Sequence, residues 1–308
     1  MGMNYLIASE AGASNSAQLA KALRKYIPLK SMYHHKSAHK MDWIDGEGTF
    51  GFDNLPDKGD ILIMVSNFAY SAILEKRGMS YFDNFKTVKY IIGDSPFMRI
   101  SFNVKGKMNY PKNFELYILA CMMQYKYDLE VKVFYPPVDV SFIGIKKTKD
   151  LSVSHSPFVS EKYEEKGTKQ IIKELKRRHI NYDLILMAKW EDCVLRKSKT
   201  HIFVDQIDYN KPGAVDIGWM GGVGKSGLEA MLLKCLVISC GLFKDYNGIP
   251  GPPIVACTKE TFSEVLEEYM DSKKIESKVA EQYEWAVKYL DPDYQARNIL
   301  NYESSILS

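Results

Sequence analysis

No stretch of 18 apolar residues occurs anywhere in this chain; the longest candidate, 230–243, is interrupted by Lys234. A membrane-spanning helix needs about 20 such residues, so none is expected. Cysteine is scarce and badly spaced: Cys121, Cys193, Cys235, Cys240 and Cys257 are odd in number and lack Cys-x-x-Cys spacing. That excludes a readable zinc site or disulfide framework and leaves buried, reduced thiols in a cytoplasmic setting, the host cytoplasm if the chain is viral. The start, Met1-Gly2-Met3-Asn4-Tyr5-Leu6, runs straight into a strand pattern, so no secretory leader is expected, and Leu6 breaks the myristoylation pattern. Acidic residues are missing from two whole segments. None occurs from Ala11 to Met41, which holds Lys21, Arg24, Lys25, Lys30, Lys36 and Lys40, and none from Ser95 to Phe114, which holds Arg99, Lys105, Lys107 and Lys112.

What is present is globular. At 46% hydrophobic and 26% charged, 308 residues suffice for two cores, at about 150 residues per domain. The net charge of +3 is uneven: residues 1–140 carry 17 Lys+Arg against 14 Asp+Glu, and 141–308 carry 24 of each. Short β-rich runs alternate with helical stretches. Strands are predicted at 4–8, 60–65, 87–92, 131–134, 151–153, 182–187, 201–204 and 236–239. Helices are predicted after Ser16, over 114–127, 168–178, 227–233, 261–269 and 275–289, and from Arg297 to Tyr302. That alternation implies parallel sheets in an α/β fold. Pro136-Pro137 cannot continue a helix or central strand and marks the boundary of two doubly wound, Rossmann-like domains, 1–138 and 139–285, with 286–308 returning to the first.

The densest glycine cluster is Gly218-Trp-Met-Gly-Gly222-Val-Gly224-Lys225-Ser226-Gly227, leading into Leu228-Glu229-Ala230-Met231. Glycines before a helix let backbone N–H groups surround a phosphate, aided by the helix N-terminus. A nucleotide-hydrolysing P-loop would need Gly-x-x-x-x-Gly-Lys-Ser, but Trp219 stands at the first glycine. A P-loop-like hydrolase is thus one alternative; a non-catalytic sugar-nucleotide binding protein and a ligand-free glycine turn are others.

Gly227 to Ser239, with its Glu-Ala-Met and Val-Ile, resembles the donor-site segment of GT-B glycosyltransferases. His201-Ile-Phe-Val-Asp205-Gln206, His155-Ser-Pro157 with Lys166-Gly-Thr168, and Tyr135-Pro-Pro-Val-Asp139 resemble other elements of that superfamily, in its order. The resemblance implies GT-B architecture, two Rossmann-like domains with an interdomain cleft, and transfer of a sugar from a nucleotide-sugar donor to a hydroxyl with retention. It implies no metal and no cofactor beyond the co-substrate. Charge developing on the diphosphate would be met by Lys166, with Lys162 second, by N–H donors from Gly222, Gly224, Ser226 and Gly227, and by Lys225. Glu229 would accept from ribose hydroxyls, and either Asp205 or Asp216 would supply the hydroxyl contact that a second glutamate makes to the sugar in many members. A second glutamate found in many members eight residues earlier is replaced by Gly221.

The first domain would hold the acceptor. Asp94, after a buried strand, is the candidate to orient or deprotonate the acceptor hydroxyl, its alternative being a turn with Ser95-Pro96. Gly12 would bring a phosphate close to the backbone. His34, His35 and His39 lack accompanying ligands for a metal; a basic loop over 32–53 is expected instead. Lys36, Lys40, Arg99, Lys105 and Lys107 suggest an anionic acceptor. Lipid-linked or phosphorylated glycan, with peripheral membrane contact, and DNA, as for bacteriophage enzymes that glycosylate hydroxymethylated bases, both fit, beside a plain solvated basic face.

Overall fold

The structure, a computed structural model, describes residues 3–8, 15–33, 55–65, 67–92, 111–119, 132–157, 166–186, 188–207, 223–240 and 250–301. The chain divides into two compact units: Met1–Val138 with Pro292–Ser308, and Asp139–Asp291.

Unit 1 is built on six parallel strands: β1 (Asn4–Ala8), β2 (Leu29–Tyr33), β3 (Gly59–Val65), β4 (Phe85–Ile92), β5 (Phe114–Leu119) and β6 (Lys132–Phe134), ordered β2-β1-β3-β4-β5-β6. β1 and the interior of β3 read as apolar runs because both faces are covered. On one face Tyr5, Ile7, Leu62, Met64 and Tyr90 pack with Tyr70 of α2 (Asn67–Arg77) and with Phe82. Tyr70 and Tyr90 stack with ring centroids 4.9 Å apart. On the other, Leu6, Ala8, Ile63 and Ile91 meet Leu19 and Leu23 of α1 (Asn15–Leu23). Ala296 and Ile299 of the returning C-terminal helix, α8 (Pro292–Leu300), close the same cluster.

Two sequence expectations are corrected here. Residues 114–119 form a strand, not the start of a helix over 114–127. β5 pairs with β4 in register, setting Glu115 opposite Lys89 and Tyr117 opposite Ile91. The aromatic and branched side chains of Phe-Glu-Leu-Tyr-Ile-Leu suit a pleated surface, and this outweighs the length of the apolar run. β2, for which no strand is predicted, pairs in parallel with β1, so Met32 and Tyr33 belong to a strand rather than to the expected basic loop. The Lys89–Glu115 register also explains a tolerated buried charge. Glu115 Oε2 accepts from Lys89 at 3.0 Å, Lys132 at 3.3 Å and the Asn301 amide at 3.0 Å. The Tyr117 hydroxyl lies 3.2 Å from the same oxygen and 3.1 Å from the Ile299 carbonyl. Burial pushes the Glu115 carboxyl up, but the Asn301 and Lys89 hydrogen bonds outweigh it and hold the group at about 2. The end of α8 is thereby anchored to the sheet.

Unit 2 holds five parallel strands, β7 (Ser152–His155), β8 (Asn181–Leu184), β9 (Ile202–Gln206), β10 (Leu236–Ser239) and β11 (Val255–Ala256), ordered β11-β10-β9-β7-β8. The chain steps outward from β7 to β8 and then returns past β7 to β9, so the order reverses between β7 and β9. Its helices are α3 (Thr168–Arg177), α4 (Trp190–Lys197), α5 (Lys225–Leu232), α6 (Phe262–Glu268) and α7 (Ser272–Tyr289). Val153, Ile202, Val204, Leu236 and Ile238 pack against Ile171 and Leu175 of α3, Phe262 of α6 and Ile275 of α7. The alternate strand residues Phe203, Asp205 and Val237 face α4 and α5.

Removal of residues 292–308 would uncover Leu19, Leu23 and Ile63 together, and the truncated chain is expected to lose its cooperative thermal transition. Ile299→Ala, which leaves a cavity in the same cluster, is expected to lower the unfolding free energy by about 2–5 kcal/mol in urea denaturation.

Candidate functional site

In open α/β sheets, ligands gather beyond the carboxyl ends of strands where the strand order reverses. In unit 2 that point lies past His155 of β7 and Asp205-Gln206 of β9. Asp205 is fully buried there. Its Oδ2 accepts from the N–H of Gly224, the residue capping α5, at 2.6 Å. Its Oδ1 lies 3.3 Å from the ammonium of Lys166, which also donates to the Ser156 carbonyl at 3.2 Å. The Lys166 carbonyl in turn accepts from the Ile207 N–H at 3.1 Å. One carboxylate thus joins the ends of β7 and β9, the turn before α3 and the turn before α5. The Lys166 side chain keeps 21% of its surface exposed while its partner keeps none, so the cation, not the anion, meets solvent.

His155, 2% exposed, secures the same edge from the other face of the sheet. Its Nδ1 is 2.7 Å from the Val204 carbonyl, which can only accept, so Nδ1 carries the proton. Nε2 then accepts from the Thr168 hydroxyl at 2.9 Å, at the first position of α3. Burial, with Lys166 adding to it, pushes the imidazole down to about 4 despite the Val204 bond, so the ring is neutral at ordinary pH. Gly167 caps α3 at φ +72°, a left-handed conformation that favours glycine.

A second buried charge cluster lies beneath α5. The Lys197 ammonium, at the end of α4, has no exposed surface and donates to Glu229 Oε2 at 2.7 Å, to Ser226 Oγ at 2.6 Å and to the Ser226 carbonyl at 3.2 Å. The other carboxylate oxygen of Glu229 accepts from the Trp190 indole at 2.8 Å and lies 3.6 Å from the Lys225 ammonium. Lys225 also sits 5.7 Å from the centroid of the Trp190 ring, against which Phe142 packs. Burial pushes Glu229 up, but Lys197 and Lys225 hold it below its usual value. Burial pushes Lys197 down and Glu229 reverses this, so the ammonium is held above its ordinary range. Lys225 is lowered, by burial and by Lys197 beside it.

The structure therefore gathers Lys166, Asp205, Gly224, Lys225, Ser226, Gly227 and Glu229 into one unit. It also gives several of them partners the sequence does not announce. Glu229, expected to accept from ribose hydroxyls, accepts from Trp190 and Lys197. The Gly224 N–H is donated to Asp205. At Gly227 an added Cβ would meet Val223 Cγ2 at 2.5 Å and Val237 Cγ1 at 3.4 Å, so this glycine lets α5 approach the sheet. Gly12, Asp94, Lys162, Asp216, Gly222, Lys36, Lys40, Arg99, Lys105 and Lys107 lie outside the described residues. Lys197 and Trp190 are absent from the sequence reading, which assigns no element to 188–200. The available signal is that Trp190, Val194 and Lys197 fall at helical spacing, with a lysine on the apolar stripe. Asp293, of the chain's single Asp-x-Asp, Asp291-Pro292-Asp293, pairs with Lys25 at 2.7 Å in unit 1. Among the described residues no group of three His, Cys, Asp or Glu could hold a metal ion, and no helix is long and apolar enough to cross a membrane.

No family profile and no curated sequence matches the chain. Solved structures do. The chain is similar to Anabaena HepE in complex with UDP-glucose, at 13% identity, covering 99% of this chain and 100% of that one with a TM-score of 0.63. It is similar to sucrose-phosphate synthase from Thermosynechococcus elongatus, at 7% identity, 98% of each chain and a TM-score of 0.60. S. aureus MnaA, solved with UDP, is similar at 12% identity, with 98% of this chain and 96% of that one and a TM-score of 0.51. At such identities the likeness concerns the fold: α/β with two parallel sheets, matching GT-B glycosyltransferase structures over full length.

Two outcomes are expected from this geometry. Lys197→Met removes the nearest cation from a buried carboxylate and should cost about 3–5 kcal/mol, whereas Lys197→Met with Glu229→Met, which removes both charges, should lie nearer wild type; chemical denaturation measures both. His155 titrates near 4 when folded and near 6.5 when unfolded. The unfolded chain therefore takes up the proton first as pH falls, and stability present above pH 6.5 is lost down to pH 4, by about 3 kcal/mol. His155→Asn should flatten that slope in denaturation curves taken between pH 7 and pH 4.

Proposed function

We propose that this protein is a glycosyltransferase that moves a sugar from a nucleotide-sugar donor to a hydroxyl of an anionic acceptor. The observation that carries this reading is the partly exposed Lys166 ammonium, held by buried Asp205 at the strand-order reversal beside the N-terminus of α5. The full-length likeness to GT-B structures, one containing UDP-glucose and one UDP, supports it.

The chemistry follows from charge. As the glycosidic bond to the donor breaks, negative charge accumulates on the departing diphosphate. A fixed cation and the aligned dipoles of a helix start stabilise that charge more than they stabilise the intact donor. Lys166 supplies the first, and the first turn of α5 supplies the second with Lys225 as an additional cation. In this reading no metal takes part, and Lys162 and Gly222 add to the phosphate contacts. Gly12 lets a phosphate approach the backbone of the first unit. Asp94 orients or deprotonates the acceptor hydroxyl, and transfer proceeds with retention. Lys36, Lys40, Arg99, Lys105 and Lys107 attract the acceptor's negative charge.

Calorimetric titration with UDP, GDP, ADP and CMP in the presence of a chelator tests the donor side. One of them is expected to bind, and Lys166→Ala to abolish binding and reduce turnover by about 100–1,000-fold. Asp94→Asn should reduce turnover and leave nucleotide affinity unchanged. Magnesium-dependent ATP hydrolysis lost on Lys225→Ala, without nucleotide-sugar turnover, overturns the reading. On the acceptor side, a duplex-DNA shift that weakens steeply with salt selects DNA, and its absence at low salt selects a glycan.

A further inference from the structure

Two cysteines that are distant in sequence meet at the carboxyl edge of the second sheet. β10 and β11 run in parallel, with Ile238 opposite Val255 and Ser239 opposite Ala256. The pairing continues one step past the strands, since the Cys257 N–H donates to the Ser239 carbonyl at 3.1 Å. Cys240 and Cys257 are therefore the next pair in register. Ile238 and Val255 pack into one apolar cluster together with Cys257. Side chains two apart along a strand share a face, which sets Cys240 beside Cys257. Their proximity leaves an electrostatic trace: burial pushes the Cys257 thiol up to about 12, and Cys240 adds to the rise. Both are thiols in this structure, Cys257 buried and Cys240 partly exposed. We infer that Cys240 and Cys257 form a redox-active dithiol site, which a small disulfide oxidant such as oxidised glutathione closes reversibly into an internal disulfide.

The strand geometry suits the bond. Neighbouring strands lie about 4.8 Å apart, within the span of about 4.4–6.8 Å between Cα atoms that a disulfide bridges. The Cβ atoms must come to about 3.5–4.5 Å, and β11, a two-residue strand at the edge of the sheet, can shift that little toward β10. The two thiols also differ as the two steps require. Cys240 meets the oxidant: its thiolate attacks one sulfur, the oxidant's S–S bond breaks, and a small thiolate leaves and takes up the proton that Cys240 lost. The Cys257 sulfur then attacks the Cys240 sulfur of the mixed disulfide, and its proton goes to the second small thiolate as that departs. Two protein thiols lose two electrons, and one disulfide is reduced to two thiols. The high pKa of Cys257 keeps its thiolate scarce, which makes the second step the slow one. The site adjoins the candidate donor edge, because the Cys240 N–H donates at 2.7 Å to the carbonyl of Gln206, the residue after Asp205. Closing it would fasten the end of β10 to β11 at that edge. The glycosyltransferase reading is not needed for this chemistry, so either can fail without the other.

Peptide mapping of the full chain tests the inference, after incubation for hours with oxidised glutathione, an acid quench and alkylation in denaturant. A peptide pair joined through Cys240 and Cys257, lighter by two hydrogens and separated by dithiothreitol, is expected in most molecules. In Cys257→Ser, Cys240 should instead retain glutathione, and in Cys240→Ser, Cys257 should remain open to alkylation. Glutathione persisting on wild-type Cys240 beside an alkylated Cys257 overturns the inference. So does a bond from either thiol to Cys121, Cys193 or Cys235, or recovery of both thiols unoxidised. The wild-type map needs no substitution, so it decides the matter even where a variant fails to fold.

Discussion

The carboxylate of Asp205 is the constraint on which the arrangement of unit 2 depends. It sits at the end of β9 with no exposed surface, and an ionised group so placed is tolerated only when donors surround it. One donor is a backbone N–H at the start of α5 and the other is the Lys166 ammonium just before α3. Neither segment is near β9 in the sequence. Satisfying one buried charge therefore fixes the start of two helices relative to the end of one strand, and holds the Lys166 ammonium in a defined place.

Equal burial produces opposite protonation outcomes at this edge, and the partners decide which. His155 faces a carbonyl and a hydroxyl, which one neutral ring can satisfy, so burial prevails and the imidazole stays uncharged. Lys197 faces a carboxylate, and the attraction outweighs desolvation. In unit 1 the same logic holds Glu115 ionised among Lys89, Lys132 and Asn301. There the product is anchorage of the returning helix to a sheet, with Lys89 almost wholly buried and Lys132, on the same carboxylate oxygen, 45% exposed.

Much of this fold is legible in the sequence because parallel strands covered on both faces must be continuous apolar runs. Asn4–Ala8, Leu236–Ser239 and the interior of Gly59–Val65 are of that kind. Where covering is uneven the signal fades. Leu-Lys-Ser-Met-Tyr of β2 has an edge position and a mixed sequence, so no strand is predicted there and its last two residues read as the start of a basic loop. Phe114–Leu119 carries a glutamate whose partner, Lys89, is 26 residues away, and only the register reveals why it is tolerated. The site divides likewise. Glycines and the helix start that follows them are local features, and so Gly224, Lys225 and Gly227 can be found by spacing. The roles of those residues depend on neighbours supplied by other strands. Asp205 takes the Gly224 N–H and Lys197 takes Glu229, and no spacing in one sequence encodes either encounter.

The charge balance of the second half acquires a different meaning in this light. Its 24 bases and 24 acids suggest electrical indifference. At the carboxyl edge of the sheet, however, Lys166, Lys197 and Lys225 meet the two carboxylates Asp205 and Glu229. Of the three, Lys197 has no exposed surface, whereas Lys166 and Lys225 each keep 21% of their side-chain surface exposed. Elsewhere in the unit, bases are matched on the surface, as Arg177 and Arg178 are by Glu174 and Arg196 by Asp183. A globally neutral unit can thus present a local positive potential beside the N-termini of α3 and α5, whose dipoles have the same sign. Under the proposed function, lysines held by buried carboxylates rather than spread over a basic surface are the kind of preorganised charge that stabilising a departing diphosphate requires.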